Sequence, residues 1–238
     1  MKSFVDTYAE GTEERKKAEI AMEYVGANIE ELYLTSNFLS PYLLWDGGFT
    51  TLELLTLGED LKVFDQYNGI WTKLKNDISK LKQENSYTKI FYMMSNQLKF
   101  AIYDLYMNEI PGDQAYKVFK DIYSSSEYNF DLLNWEDIKE LCQEQNQNDI
   151  KLLKKKFGNE ITIYRGETHR SDKEGYSWTT NYDIADWFAK RFESNGVVLK
   201  GKVNADDVLT FFDNKESEVL VPRDLVQIID DNHSQGAI

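Results

Sequence analysis

The stretch Leu152-Leu153-Lys154-Lys155-Lys156-Phe157-Gly158-Asn159-Glu160-Ile161-Thr162-Ile163-Tyr164-Arg165-Gly166-Glu167 marks a change of texture in the chain. Its first six residues close a helix, since basic side chains suit the negative end of the helix dipole. Gly158-Asn159 then breaks that helix. From Ile161 onward the texture is β with one inserted helix. Strands are expected at Ile161–Tyr164, Ser177–Thr179, Val197–Val203, Glu218–Val221 and Val226–Ile229. The segment Tyr182–Phe192 reads as helical. Upstream, residues 1–150 read as mostly helical. Ile20, Met22, Val25, Ile29, Leu32 and Leu34 roughly follow one helical stripe. Ile70-Trp71, Leu74, Ile78 and Leu81 form another, ending near Asn85-Ser86. Ile90, Met93-Met94, Leu98, Ala101-Ile102 and Leu105 form a third. A turn at Asn108–Asp113 precedes a short helix through Tyr116, Phe119 and Ile122. Trp135 opens the next helix, with Asn134 or Asp131 as its cap.

At 238 residues the chain is one large domain or two small ones. Hydrophobic residues make up 42% and aromatics 14%, enough apolar surface for a packed core. Cys142 is the only cysteine, so no intramolecular disulfide forms. Two histidines, His169 and His233, cannot build a His-rich metal site, and no metal is expected. No run approaches 18 apolar residues, so no membrane span is expected. The start of the chain turns charged at once and does not read as a secretory signal. A cytoplasmic setting, in the producing cell or a target cell, is the expectation. The net charge is −14, of which residues 1–150 carry −12 and residues 151–238 carry −2. The acidic first part disfavours broad nucleic-acid binding. The near-neutral second part leaves room for a nucleotide.

Three groups in that second part carry chemistry. Arg165 sits at the end of an apolar strand beside Gly166, and a guanidinium's planar fork of donors suits phosphate oxygens. The glycine permits close approach of a ligand to the backbone. Ser177-Trp178-Thr179 follows, with both hydroxyls on one strand face. Glu216-Ser217-Glu218 comes next, just before the apolar Val219-Leu220-Val221. On a strand, carboxylates at i and i+2 face the same side, an arrangement that repulsion disfavours unless it has a use.

Arg, then Ser-x-Thr, then Glu-x-Glu, in this order and on strands, resembles the arginine–serine–glutamate signature of mono-ADP-ribosyltransferases. The resemblance covers roughly residues 160–230, about a third of the chain. The helix Ile184-Ala185-Asp186-Trp187-Phe188-Ala189 after the serine strand suits the same family. The departures are Trp178, where threonine is usual, and Thr179 in place of the second serine.

The resemblance implies an α+β fold: a helical N-terminal region, residues 1–84, then a split, mostly antiparallel catalytic core over residues 85–238. It implies NAD as substrate, bound by Arg165, Gly166 and Thr179. Glu218 is expected to stabilise the positive charge that builds on the ribose as nicotinamide leaves. Ser177 holds the Glu218 carboxylate in place, and Glu216 orients or deprotonates the acceptor. A glutamate at position 216 goes with an arginine acceptor on a target protein. The partners expected are therefore NAD and a macromolecular acceptor, protein favoured over nucleic acid. Effectors and toxins of this family act inside cells, and a self-toxic one needs a neutralising partner. Two other readings stand beside this one. The first keeps NAD but uses RNA, DNA or water as acceptor. The second is a helical interaction protein with a degenerate transferase fold, against which the intact Arg165, Ser177, Glu216 and Glu218 argue.

Overall fold

Thr12 starts the first long helix by accepting the Arg15 N–H on its hydroxyl at 3.3 Å, and Gly26 ends it in the left-handed region at φ +69°. The stop at Val25 cuts the expected stripe short. Ile29 lies in a 3₁₀ turn, and Leu32 and Leu34 lie in a strand. The computed structural model describes residues 1–57, 61–126, 129–169, 175–191 and 195–231. His233 and Phe192 lie outside them.

Two compact units are present, Met1–Leu133 and Asn134–Ile238. The first holds β1 (Lys2–Ser3), α1 (Phe4–Thr7), α2 (Glu13–Val25), β2 (Leu32–Leu34), β3 (Tyr42–Trp45), β4 (Thr51–Leu54), α3 (Leu61–Gln83), α4 (Tyr87–Tyr92), α5 (Lys99–Tyr106) and α6 (Gly112–Ser124). The four strands form one antiparallel sheet in chain order. That sheet corrects the expectation of a helical N-terminal region. Its core is Phe4, Met22, Leu32, Leu44, Leu54, Phe64 and Trp71, so α2 and α3 bury their apolar faces with the sheet. The β3–β4 hairpin is closed by Asp46, whose Oδ1 accepts the N–H groups of Gly48 and Thr50. The later helices agree with the periodic stripes, except that the third stripe is broken into α4 and α5. Helix α3 packs on α4, and α4 on α6. The 84/85 boundary suggested by the sequence therefore falls inside a compact unit.

The second unit begins with α7 (Trp135–Gln145), capped by Asn134, which accepts the Glu136 N–H at 3.2 Å. After it come α8 (Gln147–Phe157), β5 (Glu160–Glu167), β6 (Ser177–Thr179), α9 (Tyr182–Lys190), β7 (Val197–Asn204), β8 (Thr210–Phe212), β9 (Glu218–Leu220) and β10 (Gln227–Asp231). Two of the three lysines closing α8 pair with acids: Lys154 with Asp206 at 2.6 Å, and Lys156 with Asp213. All five expected strands are present, and β8 is an addition. The sheet runs β10-β7-β5-β6-β9-β8, and every neighbour is antiparallel. Antiparallel sheets mixed with helices make this an α+β protein. One sheet face packs Ile161, Ile163, Trp178, Leu199, Phe211 and Val219 with Leu153 of α8. On the other, Tyr164 and Val198 meet Ala185 and Ala189 of α9. Strands β5 and β7 pair over eight residues, whereas β5 and β6 share one pair, Tyr164 with Thr179. The sheet is thus joined narrowly at its middle.

Gly166 has a packing reason to be glycine. A Cβ there would lie 2.2 Å from the Ala185 carbonyl oxygen and 2.5 Å from the Ala189 nitrogen. Both are helix backbone atoms that cannot step aside. The space above its α-carbon is therefore taken by α9. Gly166→Ala is expected to destabilise this unit by about 3 kcal/mol, the upper range for overpacking. Chemical denaturation of the purified variant measures it.

Candidate active site

Cross-strand pairing brings the signature together. Thr179 lies opposite Tyr164 on one side and opposite Glu218 on the other, while Ser177 lies opposite Leu220. Residues paired across a sheet share a face, as do residues two apart on a strand. Ser177, Thr179 and Glu218 therefore project to the same face. The Ser177 side chain hydrogen-bonds the Glu218 carboxyl.

Glu218 is half-buried at the first position of β9. Loss of solvent raises its pKa, the Ser177 bond pulls it back, and the Glu216 carboxylate raises it again. The result is a carboxyl pushed up to about 7. Burial disfavours the charged form and a neighbouring like charge adds to that. Such an acid costs the fold stability and is a candidate for function.

Glu216 does not lie on the strand. It is exposed in the turn before β9, and Ser217 between the two acids has φ +49°. This corrects the expectation of two carboxylates on one strand face. They are close enough to interact electrostatically, but it is the turn that brings them together. The turn is held from several directions. Asn214 Oδ1 accepts the Glu216 N–H at 3.0 Å, and the Thr180 N–H donates to the Ser217 carbonyl at 3.1 Å. The Thr179 hydroxyl donates to the Glu216 carbonyl and accepts the Asn181 N–H at 3.0 Å. Thr179 is buried, and its hydroxyl ties the end of β6 to the acidic turn.

Arg165 follows Tyr164, so it starts on the opposite face, across from Leu199. Its guanidinium reaches the narrow junction. Nη1 donates to the Ser177 carbonyl at 2.7 Å, and Nε donates to Glu167 Oε1 at 3.1 Å. The arginine therefore braces β5 against β6 beside the serine that holds Glu218.

Trp178 is buried and packs in the core of the sheet. Phe211 and Phe212 are buried as well. Tyr176 stacks on Trp135, with ring centroids 3.8 Å apart and planes at 7°. His169 is exposed just after β5. Two residues that the sequence reading passed over belong to the same network: Glu167, and Arg223, whose Nη1 also donates to Glu167 Oε1. Glu167 carried a signal, since it stands two residues from Arg165 on the same strand. Arg223 carried none.

Among the described residues no group of histidine, cysteine and acidic side chains could hold a metal ion. No helix there is long and apolar enough to cross a membrane. No family model, curated protein or solved structure matches the chain.

Proposed function

We propose that this protein is an NAD-dependent mono-ADP-ribosyltransferase whose acceptor is an arginine of a target protein. The observation that carries this reading is the convergence of Arg165, Ser177 and Glu218 from three strands. Ser177 touches both of the others, through its carbonyl and its side chain.

The chemistry suits these groups. Breaking the nicotinamide–ribose bond builds positive charge on the ribose, as in glycoside hydrolysis. An ionised Glu218 facing that charge lowers the barrier, because the attraction is stronger in the transition state than in the ground state. Nicotinamide departs as a neutral ring, so no strong general acid is needed. The serine bond fixes the carboxylate, and an approaching cation favours its ionised form. Glu216, exposed beside it, meets the acceptor. Its carboxylate pairs with a guanidinium and takes a proton as the new bond to the ribose forms.

Labelled NAD mixed with purified protein and lysate tests the reading. Label that survives nuclease and is lost to protease is the expected result. Label lost to nuclease assigns a nucleic-acid acceptor. Free ADP-ribose without macromolecular label makes the protein a glycohydrolase. No consumption of NAD in any arm overturns the proposal.

A further inference from the structure

Glu167 is buried at 7% exposure, and its Oε1 accepts hydrogen bonds from both Arg165 and Arg223. The one carboxylate oxygen is thus shared by two guanidiniums. The two arginines are not equivalent. Arg165 faces inward, with a side chain 11% exposed. Its Nη1 is held by the Ser177 carbonyl, and Gly175 lies so close that a Cβ there would sit 2.3 Å from Nη2. Arg223 faces outward at 31% exposure, in the short turn after Pro222. Among the described residues, the bond to Glu167 is the one hydrogen bond its guanidinium makes. That bond uses Nη1. Nε and Nη2 remain, and together they form the side-on fork that binds two oxygens at once.

We infer that Arg223, held by Glu167, grips the diphosphate of the bound nucleotide, while Arg165 serves as the frame. The assignment rests on the transferase reading and adds a binding residue to it. A continuous chain of contacts runs from Glu218 through Ser177, Arg165 and Glu167 to Arg223. A phosphate anchor so connected is fixed relative to the carboxylate that faces the ribose. Fixed spacing matters, because the ribose must present its scissile bond to Glu218 within a fraction of an ångström. Glu167 acts as a positioning residue: it neutralises part of Arg223's charge and aims the remaining fork.

Calorimetry with ADP tests this, since ADP carries the diphosphate but no bond to be cleaved. The intact chain is expected to bind ADP. Arg223→Ala should weaken that binding by about 10- to 100-fold, the usual range for a charge-assisted contact. Arg223→Lys should restore only part of it, because an ammonium is a point charge without a fork. Adenosine, which lacks phosphate, should bind all three alike, and their melting temperatures should agree within a few degrees. With NAD, Arg223→Ala should raise KM far more than it lowers kcat. Failure of the intact protein to bind ADP, or equal ADP binding by Arg223→Ala, overturns the assignment. ADP bound through Arg223 with no NAD turnover would refute the transferase reading and leave the phosphate site standing. NAD turnover with an unchanged KM in Arg223→Ala would do the reverse.

Discussion

Glu218→Gln is expected to lose activity and gain stability. The substitution keeps the shape of the side chain and its bond to Ser177 but removes the charge that opposes the developing cation. Losing one preorganised electrostatic contact typically costs about 10²–10³ in rate. Both transfer and NAD hydrolysis should fall by that factor. The stability effect has the opposite sign. The carboxyl is raised from 4.5 to about 7 in the folded protein. The folded state therefore holds this proton more tightly than the unfolded chain does. Between those two values the wild type loses stability as pH rises, and the loss stays in full above pH 7. At about 1.4 kcal/mol per pKa unit, and discounted for the part of the side chain that solvent reaches, the gain on substitution is about 2 kcal/mol at pH 8. Paired thermal melts at pH 8 and pH 5.5 measure it: Glu218→Gln should melt higher at pH 8, and the gap should shrink by more than half at pH 5.5. A variant that keeps a tenth of wild-type turnover would remove Glu218 from the chemistry. One that melts lower at pH 8 would show that the charge is not disfavoured in the fold.

Glu216→Gln is expected to separate the two activities. Glu216 is exposed in its turn, whereas Glu218 is half-buried on β9 and bonded to Ser177. On the transferase reading, the exposed acid meets the acceptor and the half-buried one meets NAD. Transfer to protein should collapse by about 10²-fold or more, since the acceptor loses both its anchor and its base. Hydrolysis of NAD to ADP-ribose should persist within a few-fold, because water needs no such anchor and Glu218 still opposes the cation. Removing Glu216 also removes one of the causes that raise the Glu218 carboxyl. The pH profile of the remaining hydrolysis should shift to lower pH. Both activities and the profile are measured on one preparation. Hydrolysis falling as far as transfer would mean that the two acids act as one unit on the ribose.

The strands of the second unit were legible because their apolar runs are short and end at turn residues. Ile161–Tyr164 and Val197–Val203 lie within β5 and β7. The first 57 residues were harder. A helical stripe read through Leu34 crosses Gly26, where the left-handed turn ends α2. Tyr42–Trp45 and Thr51–Leu54 flank Asp46-Gly47-Gly48, a hairpin signal that counting helical period alone passes over. The Glu-x-Glu spacing suits a strand at Glu216. The strand begins only at Glu218, because Asn214 and Thr179 hold the preceding residues in a turn.

The sequence by itself singled out Arg165, Ser177, Glu216 and Glu218 as candidates and set their order. It also determined that the second half is built from strands, because residue types and local apolar runs are properties of short segments. Tertiary structure decided how those residues meet. Pairing of β6 with β9 sets Ser177 on Glu218, and the narrow β5–β6 junction draws Arg165 onto the serine's backbone. The raised Glu218 carboxyl comes first from burial, and Glu167 is shared between Arg165, two residues away, and Arg223, which is distant in sequence. Desolvation and Coulomb interactions depend on three-dimensional proximity, and no local spacing encodes that proximity.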